Sequence, residues 1–431
     1  MSEMLNFEWP TVDLGSLLLD IQPGYSSGVH NSSGDGLPHF RPMNVSPEGR
    51  IDRTILKFVD PSTGRSNIRL RRGDVLFNNT NSPELVGKTA FFDDDDSPAF
   101  SNHMTRLRVD PLRLDPKYLA IRLHQMWREG WFAAHCNNHV SQASIGRDIL
   151  RALPIELPPL DVQRAISSFA HVVDSRRLSG VNHLSTASRA INRFRQAVLT
   201  SACSGRLTSD WREFHGGDEW QAVRAEDVCK KVQSGTTPKS WHQGQDGVPF
   251  LKVYNIVDQK LDFDYRPQFI SKELHDGPMR RATALPGDVL MNIVGPPLGK
   301  VAVVTDQYPE WSINQAITLF RPGSLITTEW LYIFLCSGIS VGEVLDYTRG
   351  TVGQVNISLS QCRDFSVLLP SIIEQREISR RVETLMTLAD KFQQKIERVR
   401  VRVSRSQQVI LSKAFRGELV ESSGGTFEMV S

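Results

Sequence analysis

The chain of 431 residues is too long for one compact core and suits two to four structural units. Hydrophobic residues make up 40% of it and charged residues 23%, which are ordinary values for a soluble globular protein. The net charge of +2 excludes a uniformly basic, histone-like binder but leaves local basic surfaces open.

Membrane insertion, secretion and metal binding are not expected from the sequence. No apolar run approaches the roughly 20 residues that a membrane span requires, and the N-terminus lacks a basic segment followed by an apolar one. The five cysteines are an odd number, widely spaced, and lack the spacing of zinc ligands. The sequence therefore predicts a cytoplasmic protein with reduced cysteines and no metal of its own.

Residues 1–156 are predicted to form a first globular head of mixed α/β structure. A short apolar strand at residues 74–77 follows a glycine turn, and a helix is predicted near Pro116–Arg128. Arginine can read guanine and asparagine adenine through paired hydrogen bonds, whereas lysine mainly contacts phosphates. The acidic run Asp93–Asp96 would repel phosphates, so we expect it to face away from DNA. The candidate DNA contacts of this head are Arg69, Arg71, Asn78, Asn79, Lys88 and Asn102.

Residues 157–208 are predicted to form a first helical spacer. A proline pair precedes it, and Gly205 stands where a C-terminal cap is expected. Apolar residues alternate at spacings of three and four, which is the pattern of a heptad seam. The pattern weakens around Arg177 and Gly180. The seam residues predicted for this helix are Ile166, Val173, Leu184, Ile191 and Val198.

Residues 209–368 are predicted to form a second head of the same mixed class. Apolar strands are expected at residues 300–304 and 316–320, and a helix near Thr328–Ser337. Any one polar loop residue of this head is more simply interpreted as surface decoration than as a DNA contact. The candidate DNA contacts are Thr236, Thr237, Lys239, Asn255, Asn292, Lys300, Asn314 and Gln354.

Residues 369–420 are predicted to form a second helical spacer, followed by a tail at 421–431. At 1.5 Å per residue, a helix of about 40 residues spans roughly 60 Å. Its outer face is rich in arginine and lysine, which indicates either a solvated surface or a docking surface for a partner. The predicted seam residues are Ile378, Val382, Leu385, Phe392, Ile396, Val403 and Ile410.

The chain contains an internal duplication. A shift of 212 residues aligns the two helical spacers without a gap over about fifty positions, for example Gln163 with Gln375 and Gly205 with Gly417. The two heads align more weakly and share only a framework. A repeated scaffold that carries two diverged heads suggests recognition of two different things.

The two seams in one chain favour intramolecular pairing, because neither helix can bury its seam alone. If a pseudo-two-fold axis relates the copies, the helices run antiparallel and the fold is α+β: two recognition heads separated by a long antiparallel helix pair. The alternative is that each helix lies on its own head or on another subunit.

No catalytic pattern survives inspection. The segment 295–301 imitates a phosphate-binding loop but is one residue short and has Val301 in place of the magnesium-binding hydroxyl. No Asn-Pro-Pro-aromatic element of an amino-methyltransferase and no HExxH motif is present, and Asp258 with Lys260 alone is too weak to indicate a nuclease. We therefore expect a non-catalytic protein.

The strand, stop and cap motifs together resemble the specificity subunit of Type I restriction–modification systems. The resemblance covers nearly the whole chain and rests on four kinds of segment. They are Leu-Pro-Ser-Ile-Ile-Glu-Gln-Arg at 369–376 with its counterpart at 157–164, Ala-Phe-Arg-Gly-Glu-Leu at 414–419, Gly-Asp-Val-Leu at 73–76 and 287–290, and Gly-Gln-Val-Asn-Ile-Ser at 353–358.

This resemblance implies two target-recognition domains, each reading half of a split double-stranded DNA site, with the paired helices as a ruler between them. It implies two methyltransferase subunits that bind S-adenosylmethionine and methylate adenine. It leaves open whether restriction subunits, which use ATP and magnesium, join the complex, and it places the protein in the cytoplasm of a bacterium or archaeon. The first copy departs from the pattern at 202–207, which puts equal partner contacts at the two ends in doubt.

Two other function classes remain in view. One is a coiled-coil scaffold without DNA recognition, and the other is a stand-alone nuclease or methyltransferase. A purified chain that binds no DNA even with its methyltransferase partner would indicate the first. Cleavage or methyl transfer by the chain alone would indicate the second.

Overall fold

The computed structural model describes residues 9–61, 68–139, 142–216, 219–242, 244–347, 356–423 and 426–429. The described residues fall into two compact units. Unit 1 comprises those within Met1–Ser185 and Glu397–Ser431, and unit 2 those within Thr186–Ile396. Each unit contains one head together with part of each long helix, and both contain helices and sheets, so the α+β class is confirmed.

The first head is built on an antiparallel sheet of order β2-β9-β5-β7, with α1 packed against it. A second sheet has the order β4-β3-β8, in which β3 and β8 are parallel. The strands are β1 (Thr11–Asp13), β2 (Leu18–Pro23), β3 (Leu37–Phe40), β4 (Lys57–Val59), β5 (Val75–Asn78), β6 (Thr80–Asn81), β7 (Thr89–Phe91), β8 (Ala99–Phe100), β9 (Met104–Val109), β10 (Asn137–His139), β11 (Gln142–Ser144) and β12 (Pro154–Glu156). The helices are α1 (Pro116–Arg128), α2 (Trp131–His135) and α3 (Arg147–Arg151).

The helix α4 (Leu160–Cys203) follows, and the second head then repeats the strand order of the first. Its antiparallel sheet is β14-β22-β19-β20, and its second sheet is β18-β15-β21 with β15 and β21 parallel. The strands are β13 (Gln221–Arg224), β14 (Cys229–Ser234), β15 (Val248–Leu251), β16 (Ile256–Val257), β17 (Lys260–Leu261), β18 (Phe269–Ile270), β19 (Val289–Asn292), β20 (Val301–Val303), β21 (Ser312–Ile313), β22 (Ile317–Pro322) and β23 (Ser366–Leu369). The helices are α5 (Ser209–His215), α6 (Ala225–Val228), α7 (Lys272–Asp276), α8 (Thr328–Ser337), α9 (Ile339–Tyr347) and α10 (Leu359–Arg363).

The chain continues with α11 (Ile372–Phe415) and a hairpin of β24 (Val420–Ser423) and β25 (Thr426–Met429). Within the described ranges no single helix is long and apolar enough to cross a membrane, although Thr328–Ser337 and Ile339–Asp346, bent by 41°, together meet the length and composition required.

The Gly-Asp-Val-Leu segments are structural elements of each sheet. In the first head the buried Asp74 side chain accepts hydrogen bonds from Arg108 on β9, at 2.6 and 3.0 Å. In the second head the buried Asp288 accepts from Arg321 on β22, at 2.8 Å for both. The preceding glycine has a φ of 93° in one head and 89° in the other, a conformation that other residues rarely adopt. These segments therefore fix a turn and a strand pair rather than contacting a ligand.

A buried glutamine joins each long helix to its head, which explains why this glutamine is repeated in the two copies. Gln163 accepts a hydrogen bond from the backbone N–H of Asp115, the N-cap of α1, at 2.8 Å. Gln375 accepts from the backbone N–H of Thr327, the N-cap of α8, at 2.8 Å. Each amide also donates to two backbone carbonyls. All polar groups of these buried side chains thus have partners, and the helix start is fixed to the head.

In unit 1 the beginning of α4 packs against the end of α11. Ile166 and Ala170 share a core with Leu411 and Ala414. Further along α4, Asp174 pairs with Gln407, which lies earlier on α11. Later residues of α4 thus contact earlier residues of α11, so the two segments are antiparallel.

Asp174 sits at the weak part of the predicted seam and is held by two arginines. It accepts hydrogen bonds from Arg50 of the first head, from Arg177 and from Gln407 at 3.2 Å. Burial alone would raise the pKa of Asp174, but the bonds and charges of Arg50 and Arg177 outweigh burial and hold that pKa below its usual value. A polar cluster thus replaces the apolar seam here.

In unit 2 the end of α4 packs against the beginning of α11. Val198 and Ala202 share a core with Ile378 and Val382. Two polar bonds continue the pairing, Ser188 to Gln393 at 3.1 Å and Arg195 to Asp390 at 2.7 Å. The same antiparallel direction holds, so the predicted pairing within the chain is confirmed, and the alternative that each helix lies only on its own head is wrong.

One predicted seam residue is not in the seam. Phe392 is 53% exposed, and Gln393 beside it faces Ser188 instead. A straight helix has 3.6 residues per turn, whereas the predicted series repeats every 3.5, so the buried face drifts one residue along by the second half of α11. The buried Gln407 belongs to the same shifted line. Of the other predicted seam residues, Ile166, Val198, Ile378, Val382 and Ile396 are buried, and Val173, Leu184, Ile191, Leu385, Val403 and Ile410 are partly buried.

Candidate nucleic-acid interface

Each head places a basic residue directly after the first strand of its second sheet. Arg41 follows β3 in the first head, and Lys252 follows β15 in the second. Each precedes a short 3-10 helix, Pro42–Asn44 or Val253–Asn255. The two positions are 211 residues apart in sequence, so they belong to the duplication.

A buried asparagine fixes the loop behind each of these basic residues. Asn255 accepts from the backbone N–H of Lys252 at 3.0 Å and donates to the carbonyls of Asp262 and Tyr265, both at 3.0 Å. Asn44 makes the corresponding three bonds in the first head. Since both ends of its amide are occupied, Asn255 supports the loop, which argues against the DNA contact predicted for it.

The structure brings two predicted residues of the second head together with two that sequence reasoning missed. Lys300 and Asn314 line a surface depression of about 470 Å³ with Lys252 and Tyr254. Burial raises the pKa of Tyr254 above its usual value, and nearby Arg266 only partly offsets this. Tyr254 therefore remains a neutral hydroxyl beside two ammonium groups.

Aromatic rings extend this surface. Trp241 is 45% exposed, and the Lys252 ammonium lies 4.4 Å from the centre of its ring. Tyr265 is 48% exposed, with the Arg266 guanidinium 5.2 Å from its ring centre. Planar faces that carry positive charges are suited to nucleobases and phosphates.

The loop after β14 lies beside the same depression. The backbone N–H of Thr236 donates to the carbonyl of Ile313, next to Asn314, at 3.1 Å. A Cβ on the preceding Gly235 would lie only 2.1 Å from that carbonyl, so glycine is required for this approach. Arg281 donates to the Thr236 hydroxyl at 3.4 Å. Thr237 and Lys239 are exposed in this loop.

The first head gathers histidines and cations at the corresponding place. Arg41 donates a hydrogen bond to the sulfur of Met43, and Lys57 donates one to the hydroxyl of Ser32. Neither of these bonds neutralises the positive charge. Burial and the charges of Arg41 and Lys57 lower the pKa of His30. Arg69 lies close enough to Tyr25 to oppose, by its charge, the rise in the tyrosine pKa that burial causes. The local potential is therefore positive.

The acidic run of the first head is paired with arginines. Arg53 donates to Asp94 at 2.5 Å and to Asp96 at 2.9 and 3.0 Å, and Arg72 donates to Asp93 and Asp95. These arginines have their charge offset locally, which makes them poor candidates for phosphate contacts.

Four further predicted residues are buried and hold loops together. Asn78 and Asn292 end equivalent strands and donate to backbone carbonyls, at 3.0 Å and 2.7 Å respectively. Asn79 donates to the Thr105 hydroxyl at 2.7 Å, and Lys88 donates to the carbonyl of Val45 at 2.5 Å. Burial lowers the pKa of Lys88, although two carboxylates favour its charge. Their burial and these bonds to the head argue against the DNA contacts predicted for the four.

The remaining predicted residues are more accessible. Arg71 and Asn102 are exposed, and Arg69 is partly exposed. Gln354 lies outside the described residues. The missed residues Arg41 and Lys252 had one signal in the sequence, their equivalent position in the two copies. At the same offset Trp241 aligns with His30 and Tyr254 with Met43, so neither residue is repeated in the first head.

The chain is similar to known proteins over both heads. Residues 217–399 match the family model described as Type I restriction modification DNA specificity domain, which spans the second head and the first part of α11. Over 432 aligned residues the chain is 26% identical to the Type I restriction enzyme EcoKI specificity subunit of Escherichia coli (strain K12), covering 95% of this chain and 88% of that protein. The second head and the first part of α11 therefore match a Type I restriction–modification DNA specificity domain, and nearly the whole chain is similar to a Type I specificity subunit.

A second relative and a solved structure show the same similarity. The Type I restriction enzyme EcoBI specificity subunit of Escherichia coli is 30% identical over 280 residues, covering 62% of this chain and 58% of that protein. A chain solved in a study of complex assembly and conformational transition of the type I R-M system has a TM-score of 0.71 at 19% identity. That alignment covers 96% of this chain and all of the solved one, so the two chains share a fold over both heads and both long helices.

Proposed function

We propose that this chain is a specificity subunit that recognises a split double-stranded DNA target and directs the other subunits of a Type I restriction–modification complex to it. The observation that carries the proposal is the pair of basic loops, at Arg41 and Lys252, placed equivalently in two heads of the same strand order. Two readers with one framework and different side chains suit a target of two unlike halves.

Base reading falls to the accessible loop residues of each head. In the second head the Asn314 oxygen accepts from the backbone N–H of Ala316 at 2.9 Å, which leaves its amide N–H groups to donate to a base edge. Thr236 and Thr237 can also bond base edges, while Lys239, Lys252 and Lys300 neutralise phosphates. In the first head Arg69 and Arg71 suit guanine and Asn102 suits adenine, with Arg41 and Lys57 on the backbone. Because the two sets of side chains differ, the two half-sites should differ as well.

The long helices set the distance between the half-sites in this proposal. Each is 44 residues long, which corresponds to about 66 Å of helix. The same proposal divides the chain into recognition domains at 1–156 and 209–368 and helical spacers at 157–208 and 369–420. Pairing along two helices resists bending better than one helix would, as a ruler requires.

The catalytic partners are two methyltransferase subunits that hold S-adenosylmethionine, with restriction subunits that use ATP and magnesium as a further component. The chain itself acts as recognition and scaffold in the cytoplasm of a bacterium or archaeon. The two helix ends differ: Phe415 of α11 is buried against Tyr118, with ring centres 5.4 Å apart, whereas Cys203 ends α4. The two methyltransferase docking surfaces are therefore proposed to be similar but not identical.

Methylome sequencing tests this function. The chain is co-expressed with its cognate methyltransferase subunit in a host without DNA methylation. The expected result is adenine methylation at one motif made of two defined blocks separated by a fixed number of undefined base pairs. The methyltransferase alone should leave no motif, and a contiguous motif or methylation without sequence preference would contradict the proposal.

A further inference from the structure

A histidine and two carboxylates converge in the second head, and none of the three lines the Lys252 depression. One ligand atom each of His275, Asp276 and Glu310 lies within 4.8 Å of the others. The first two end the helix α7, and Glu310 lies in the loop before β21. That loop is anchored by Trp311, which is fully buried in the core.

The histidine of this cluster is held in a fixed orientation. Its side chain is 98% buried, and Nδ1 lies 2.7 Å from the hydroxyl oxygen of Ser312 on β21. Metal-binding histidines are commonly oriented in this way, with the second ring nitrogen hydrogen-bonded and the first left for the metal. Nε2 of His275 faces Glu310, 3.1 Å from Oε2.

The separation of these two atoms fits two ligands of one cation. Zinc takes imidazole nitrogen and carboxylate oxygen at about 2.0–2.2 Å, so two such ligands at an angle near 90–110° lie roughly 3.0–3.5 Å apart. Asp276 adds a second carboxylate on the same side. Without a cation the two carboxylates would repel each other, and a dication between them would remove that cost.

We propose that His275, Asp276 and Glu310 bind a first-row divalent cation, zinc or manganese. Imidazole favours zinc over magnesium and calcium, whereas carboxylates also accept manganese. Glu310 is about half exposed, so the site opens to solvent and water completes the coordination. No catalytic step is assigned to the ion.

Bound there, the cation would join α7 to the loop before β21. The chain runs from α7 into the 3-10 helix Arg280–Ala282, which precedes the segment leading to β19. Arg281 of that helix bonds Thr236 at the proposed DNA surface. The ion would therefore stiffen one side of that surface. This consequence rests on the proposed function, whereas the metal-binding site is independent of it.

Calorimetric titration of the metal-stripped full chain, without DNA, tests the site. Zinc and manganese are added separately, with magnesium as a third arm, and the melting temperature is measured at each saturation. The expected result is saturable binding of zinc or manganese, tighter than that of magnesium, with a rise of several degrees in melting temperature, because a ligand that binds only the folded state stabilises it.

Matched variants locate the binding. Glu310→Gln and Asp276→Asn keep the side-chain shapes and should each weaken the binding at least tenfold. Glu273→Gln removes an exposed carboxylate from the same helix and should leave it unchanged. Absence of saturable binding, preference for magnesium, or equal binding by all variants would overturn the site. Since no DNA is present, such a result would leave the proposed recognition function standing.

Discussion

Replacing Ile378 with aspartate is expected to lower the free energy of unfolding by at least about 4 kcal/mol, because the substitution buries an unpaired carboxylate. Ile378 is fully buried in the core that α4, α11 and the second head share in unit 2. The loss would be measured by urea denaturation followed by circular dichroism. We expect the change to disrupt helix pairing in that unit as well as the attachment of the head.

Phe392→Asp is the matched control on the same helix. The sequence pattern places Phe392 in the seam with Ile378, whereas the structure leaves it half exposed. The same introduced charge should therefore change the free energy of unfolding by less than about 1 kcal/mol. Equal losses for the two variants would contradict the shifted seam, and no loss for either would contradict the helix pair itself.

Alanine at Lys252 or at Arg41 is expected to weaken specific DNA binding by the assembled complex about 5- to 150-fold. That range corresponds to about 1–3 kcal/mol, the usual value of one well-placed contact. If Lys252 neutralises a phosphate, its loss should also reduce the slope of log affinity against log salt by about one. Both quantities follow from fluorescence anisotropy titrations at several salt concentrations.

Lys230→Ala provides the control for Lys252→Ala. Lys230 is also an exposed lysine of the second head, but it lies at the start of β14, whereas the loop with Thr236 follows the end of that strand. Its removal changes the net charge equally and should leave affinity and salt slope almost unaltered. A similar loss for both lysines would indicate a general charge effect rather than a contact at the depression.

The helical part of the fold could be predicted because both copies carry the same strong signals for the start and end of a helix. A proline stop and a buried glutamine begin each long helix, and a glycine follows each, so α4 and α11 have the predicted positions and equal lengths. The seam was predicted well near the start of α11. It failed at Phe392 because heptad counting carries no information about how far a nearly straight helix departs from 3.5 residues per turn.

The candidate DNA surface was harder to predict. An asparagine side chain serves equally well to bind adenine and to hold a backbone turn, so Asn78, Asn255 and Asn292 gave the same signal as a base contact would. Only the folded loops show that each of these amides donates to a backbone carbonyl. Arg41 and Lys252 follow short strands whose ends no pattern fixes, although alignment of the two copies places them together.

The most direct test of two independent heads on one ruler is a head exchange read by methylome sequencing. Residues 1–156 are replaced by the corresponding head of a family member with a different target, and the complex is expressed in a host without DNA methylation. We expect a motif in which one half has changed to that of the donor, while the other half and the spacer length stay the same. A change in both halves, or in the spacer, would contradict independent heads on a fixed helix pair.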